Sequence, residues 1–187
     1  YGYTRACVKE IEFQEIKASI KPFFDAIKEM KRWLKSEIKE GKKYAEEDLY
    51  FLEEYEERVE ESLKKTMVIE KLCNITVKRA EEDLERILKA GVSEEKVKPY
   101  YGQVIEHTRF ILSMTYSLAL SGRLDDVEMI LDRIVHGQGV APSDFGFPLT
   151  VFNFRTGRVE EKKRYFHALY EAHSLYYISR AVLGDKE

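Results

Sequence analysis

The sequence predicts an all-α or predominantly α protein, an antiparallel bundle of about five helices with two long ones. Three observations carry that reading. Residues 44–90 run for 47 positions without a proline or glycine. Apolar residues recur along most of the chain at spacings of three and four, which line one side of a helix. The 10 glycines and 4 prolines sit mainly at short boundaries, and they cluster between Gly137 and Pro148. No repeat of fixed period recurs, so the reading is one helical domain over residues 1–187, with 137–159 inserted before the last helix.

Residues 1–8 either cover an apolar surface with Tyr1, Tyr3 and Cys7 or fray. A first helix is expected from near Lys9, with Ile16, Ile20, Phe23, Ile27, Met30, Trp33, Leu34 and Ile38 on its apolar face. Pro22 lacks an N–H and crowds the preceding turn, so a kink or a new segment is expected near Lys21. Glu40-Gly41 then allows a tight turn into the long stretch.

In that stretch Leu49, Leu52, Val59, Leu63, Met67, Leu72, Ile75, Leu84 and Leu88 give the apolar pattern. Glu and Lys, good helix formers, fill the rest. An unbroken helix would reach roughly 70 Å at 1.5 Å per residue. Cys73–Val77 is its weakest part, because Asn, Thr and Val are poorer helix residues. With no turn residue there, the expectation is a continuous or gently bent helix rather than two segments.

Gly91-Val92-Ser93 marks the next boundary, and Pro99 suits the first turn of a helix. Residues 100–120 are strongly apolar and predict the most buried helix. Ser121-Gly122 ends it. Leu124, Val127, Ile130 and Ile134 then give a shorter amphipathic helix closed by Gly137 and Gly139. The segment Gly137–Pro148 is a loop, with Phe145 and Phe147 expected to fold back onto the core. Residues 149–159 read as a small β-hairpin turning at Gly157, or as an extended loop that pins its aromatics. A last helix is expected from about Glu160 to Val182.

Charge is abundant but nearly balanced, 31 Lys and Arg against 34 Asp and Glu for a net charge of -3. A dedicated nucleic-acid binder is usually more basic. Cys7 and Cys73 are the only cysteines and lack metal or redox spacing. There is neither a membrane-length apolar run nor a secretory core, so the expected location is the cytoplasm, with no membrane partner. Three Gln and two Asn among many Glu and Lys fit a thermophilic protein.

Chemistry-bearing motifs are scarce. His107, His136, His167 and His173 form neither HExxH nor ExxH. Glu53, Glu57 and Glu61 make an i,i+4 ladder of like charge. It reads better as a solvated flank, or a surface for a basic partner, than as a magnesium site. No nucleophile elbow, phosphate loop or dinucleotide fingerprint is present. The reading is therefore no cofactor, no metal and no catalytic residue.

The distinctive surface is C-terminal. Arg155, Arg158, Lys162, Lys163 and Arg164 form the strongest basic cluster, and Tyr165, Tyr170, Tyr176 and Tyr177 with Arg180 follow. Tyrosine suits a protein interface, and rings beside cations also stack bases and hold phosphates. The expected function is a helical interaction or adaptor protein that self-associates or joins a larger assembly. The alternatives are nucleic-acid binding through residues 155–164 and the last helix, and a metal-dependent bundle enzyme.

Overall fold

The fold is predominantly α-helical. The computed structural model describes residues 7–145, 150–153, 155–161 and 168–184. Among them are five α-helices: α1 (Cys7–Lys39), α2 (Tyr44–Lys89), α3 (Glu94–Leu120), α4 (Leu124–Val135) and α5 (Ala168–Leu183). A 3-10 turn covers Pro142–Phe145. Strand β1 (Thr150–Asn153) pairs antiparallel with β2 (Arg158–Glu161), with Val151 opposite Glu160 and Asn153 opposite Arg158. No helix among the described residues is long and apolar enough to cross a membrane.

The 46-residue α2 is unbroken, and its buried side differs from the expected one. Val59, Ser62, Thr66, Ile69, Cys73, Val77, Ala80, Leu84 and Ile87 are all buried. These positions are three or four apart throughout, close to the 3.5-residue period of a helix packed along its length. Met67 and Ile75, assigned to the apolar face from sequence, are instead exposed. Ser62 and Thr66 take inward positions because each donates its hydroxyl to a carbonyl one turn back, Arg58 O at 2.6 Å and Ser62 O at 2.8 Å. A hydroxyl satisfied in this way is buried without an orphaned donor.

Two compact units divide the chain: Tyr1–Thr66 with Thr115–Glu128, and Met67–Met114 with Met129–Glu187. In the first, α1 and the start of α2 run antiparallel across a short turn. Glu37 accepts hydrogen bonds from Lys42 and from Tyr44 Oη at that turn. Further along, Lys31 pairs with Glu56, and Phe23 meets the Tyr55 ring edge-on at 6.1 Å. Tyr55 Oη donates to Leu120 O at 2.6 Å, tying α2 to the last turn of α3. Pro22 lies inside α1, which continues as helix on both sides of it, so no new segment starts at Lys21.

In the second unit, Val77, Ala80, Leu84 and Ile87 of α2 pack with Val97, Tyr101 and Val104 of α3 and Leu175 of α5. Tyr101 keeps its phenol satisfied by donating to Glu81 at 2.8 Å. Pro99 falls five residues after the start of α3 rather than in its first turn. The loop after α4 returns to the core, as its aromatic content requires. Phe145 is buried, Arg133 lies 6.0 Å from its ring centroid, and Arg133 also pairs with Asp144. Phe147 lies outside the described residues. Arg158–Glu161 form β2, so the last helix does not begin at Glu160 as expected, and its described part is Ala168–Leu183.

Four helices end in the same way. At α3, Gly122 N donates to Ala119 O and Arg123 N to Leu118 O, both at 3.0 Å, which is the Schellman arrangement. Gly122 has φ 71, and a Cβ there would lie 2.7 Å from Tyr55 Cε2. Gly91 ends α2 with φ 90 and nothing within 4 Å of its Cβ position. A side chain in the left-handed region costs roughly 1–2 kcal/mol, and forced contact adds to it. Gly91→Ala should therefore destabilise by about 1 kcal/mol, and Gly122→Ala by more than about 2 kcal/mol. Urea unfolding of both variants checks the ordering, and equal losses would show that the Tyr55 contact is not tight.

Candidate recognition groove on the second unit

A groove of about 500 Å³ lies between α2 and α5 within the second unit. The α2 wall is Thr76, Arg79, Glu82, Asp83 and Arg86, and the α5 wall is Ala172, His173 and Tyr176. The α2 residues fall at helical spacings of three and four, so one face delivers all of them. On α5, buried Leu175 and Ser179 anchor one side of the helix and leave Tyr176 and Tyr177 exposed on the other.

Its electrostatics are mixed. Asp83 is 4% exposed, and Arg86 Nη2 donates to its Oδ1 at 2.9 Å. Burial pushes the Asp83 carboxyl above its ordinary value. Arg86 opposes that rise, and neighbouring Glu82 adds to it. Thr76 donates to Leu72 O at 3.0 Å, so its hydroxyl is committed to the helix and is not an activated nucleophile. Cys73 is buried nearby in sequence, and burial pushes its thiol up to about 12. A thiol held so far above neutrality is inert as a nucleophile. Among the described residues, no three His, Cys, Asp or Glu side chains come together as a metal site. The groove lining thus combines two cations, two carboxylates, a hydroxyl, an imidazole and a phenol ring.

The expected site residues divide three ways. Tyr176 lines the groove, and its ring meets that of Tyr177 edge-on at 5.6 Å. Tyr177 also stacks on His173 at 6.5 Å, while Arg180 covers the Tyr176 ring at 5.6 Å and donates to its Oη at 3.2 Å. Arg155 and Arg158 are exposed, Arg155 in the hairpin turn and Arg158 at the start of β2. Lys162, Lys163, Arg164 and Tyr165 lie outside the described residues, as does the side chain of Tyr170, whose backbone belongs to α5. Sequence reasoning missed Arg79, Glu82, Asp83 and Arg86. The available signal was their i, i+3, i+4, i+7 spacing, which puts two cations and two carboxylates on one face of α2.

In comparisons with known proteins, no family model, curated protein or solved structure matches this chain.

Two outcomes follow from the groove chemistry. Above the folded pKa of Asp83, Arg86→Met should destabilise the protein by about 1 kcal/mol, because it leaves an ionised carboxylate buried and unpaired. In the parent, a raised folded-state value means stability falls as pH rises from the ordinary carboxylate range through the folded pKa. The Arg86→Met deficit should accordingly be present above that pKa and vanish at lower pH, where Asp83 is neutral in both proteins. A pH-independent deficit in thermal unfolding would contradict the pairing. Separately, Cys73 should resist a thiol reagent at pH 8 in the native protein and react on unfolding. Rapid native labelling at Cys73 would contradict its burial.

Proposed function

We propose that the chain is a helical interaction protein that self-associates or joins a larger assembly. The observation that carries this reading is a row of apolar side chains on α2 that the chain leaves in solvent: Met67, Val68 and Ile75 are 57%, 46% and 49% exposed. Single exposed apolar residues are ordinary on protein surfaces. Here Val68 and Ile75 are seven apart on one helix, with half-buried Leu72 between them. That is the spacing by which amphipathic helices present anchors to a partner. Trp33 and Phe51, each more than half exposed, and Tyr177 add large apolar area of the type enriched at interfaces. Burying such a side chain contributes roughly 1.5–3 kcal/mol.

A second reading, nucleic-acid binding, draws support from the exposed Arg155 and Arg158 and from the Tyr176–Tyr177 rings with Arg180. The net charge of -3 weighs against it. Charge reversal at Arg155 and Arg158 should leave protein association intact. Loss of a measured RNA or DNA affinity together with its salt slope would favour this second reading instead.

The interaction reading is checked by sedimentation equilibrium of the full chain and by quantifying proteins that co-purify with it. It expects a dimer or larger species, or a stoichiometric protein partner. Val68→Glu with Ile75→Glu should weaken that association at least tenfold with little change in thermal stability. A monomer at all accessible concentrations, with no stoichiometric partner, would overturn the reading.

A further inference from the structure

The groove between α2 and α5 lies wholly within the second unit, and its charges balance. Arg79 and Arg86 are cations, and Glu82 and Asp83 are carboxylates. Asp83 is the exceptional member. Its side chain is only 6% exposed, yet it lines the groove with one oxygen uncommitted. Oδ1 accepts from Arg86, whereas Oδ2 accepts no hydrogen bond among the described residues. An ionised carboxylate offers about four lone-pair sites, so a single bond leaves most of them open. Burial pushes this carboxyl up with Arg86 alone opposing the rise, so the group is short of positive charge. In such a setting a charged donor counts for more than it does in water. Arg79 and Glu82 are exposed on the same lining, and neither makes an ion pair within 4.0 Å among the described residues. On the α5 wall the Tyr176 ring is 42% exposed. Arg180, 5.6 Å from its centroid, and the edge-on ring of Tyr177 hold it in place.

We infer that the groove binds a free aromatic α-amino acid. Asp83 Oδ2 accepts from the ammonium, Arg79 donates to the carboxylate, and the Tyr176 ring pairs with the ring of the ligand. Charge decides the class. A plain anion that paired with Arg79 would be set against Glu82 and Asp83, and a plain cation on Asp83 would be set against Arg79 and Arg86. A zwitterion satisfies both signs and adds no net charge to a balanced groove. Spacing narrows the class further. Arg79 and Asp83 are four residues apart on α2, roughly 6 Å along the axis at 1.5 Å per residue. An α-amino acid, with one carbon between its charged groups, covers that span with a hydrogen bond of about 2.9 Å at each end. The planar fork of an arginine also takes a carboxylate through two parallel bonds. The groove volume, about 500 Å³, falls inside the range of roughly 300–1,000 Å³ usual for small-molecule sites. Because Tyr176 is already held, stacking on it orders little that was free, and aromatic pairs contribute beyond the area they bury. The site uses none of the exposed apolar residues of α2, so it does not rest on self-association.

Isothermal titration calorimetry of the full chain with L-phenylalanine tests this, alongside two analogues that each lack one charge. Phenethylamine keeps the ammonium, and hydrocinnamate keeps the carboxylate. L-phenylalanine should bind with a dissociation constant below about 1 mM, and each analogue at least tenfold more weakly. The dipeptide Phe-Gly, whose charged groups lie farther apart, should also bind at least tenfold more weakly, which separates a free amino acid from the end of a peptide. Arg79→Met should lose at least tenfold for L-phenylalanine without weakening phenethylamine. Asp83→Asn should lose as much for L-phenylalanine without weakening hydrocinnamate. Thermal unfolding verifies that both variants fold, and the exposed Arg79 decides the matter should Asp83→Asn misfold. No binding of L-phenylalanine at ten times the expected dissociation constant would overturn the proposal. So would an analogue or the dipeptide binding as tightly as L-phenylalanine. Undiminished binding in the folded variants would place the ligand elsewhere and overturn it as well.

Discussion

The buried row from Val59 to Ile87 on α2 is the constraint on which the rest of the structure depends. Because its members recur every three or four residues, one side of the helix faces apolar neighbours over most of its length. Propensity alone would not hold a helix this long through Cys73–Val77, where Asn74, Thr76 and Val77 are weak formers. Burial of Cys73 and Val77 keeps that stretch helical, and the bond from Thr76 Oγ1 to Leu72 O satisfies the half-buried hydroxyl there. In each unit the row meets different elements: the Tyr55–Leu120 and Lys31–Glu56 contacts lie in the first, and the Val104–Leu175 cluster in the second.

The row also explains what sequence could and could not disclose. Helix class, the ends at Gly41, Gly91, Gly122 and Gly137, and the return of Phe145 to the core were legible. Each follows from local chemistry: backbone propensity, left-handed glycines and the cost of an exposed ring. The orientation of α2 was not. Choosing the large apolar residues Leu63, Met67 and Ile75 rotates the assumed face away from one built partly of Ser62, Thr66, Cys73 and Ala80. Small and hydroxylated residues carry no hydropathy signal, yet they allow close helix approach when their hydroxyls bond back to the helix. Met67 and Ile75 then appear as exposed residues in need of a reason. The start of the last helix was misplaced for a similar cause, since β pairing with β1 claims Arg158–Glu161 over their local helical preference.

The groove shows the same division. Tyr176 was legible as a candidate because aromatic density marks the C-terminal segment, and it lines the groove. Its counterparts Arg79, Asp83 and Arg86 look like ordinary surface charges until the packing of α5 against α2 brings them together. Thr76 is committed to the helix backbone, and burial holds Cys73 as a neutral thiol.

Native-state hydrogen exchange along α2 tests the central claim most directly. If the buried row holds the helix, the amides of Cys73–Val77 should exchange as slowly as those of Leu84–Ile87, since both stretches lie in one unbroken helix and contribute to the same row. Rapid exchange at Cys73–Val77 in the native protein would contradict the account, because the helix would then open there despite the burial of Cys73 and Val77.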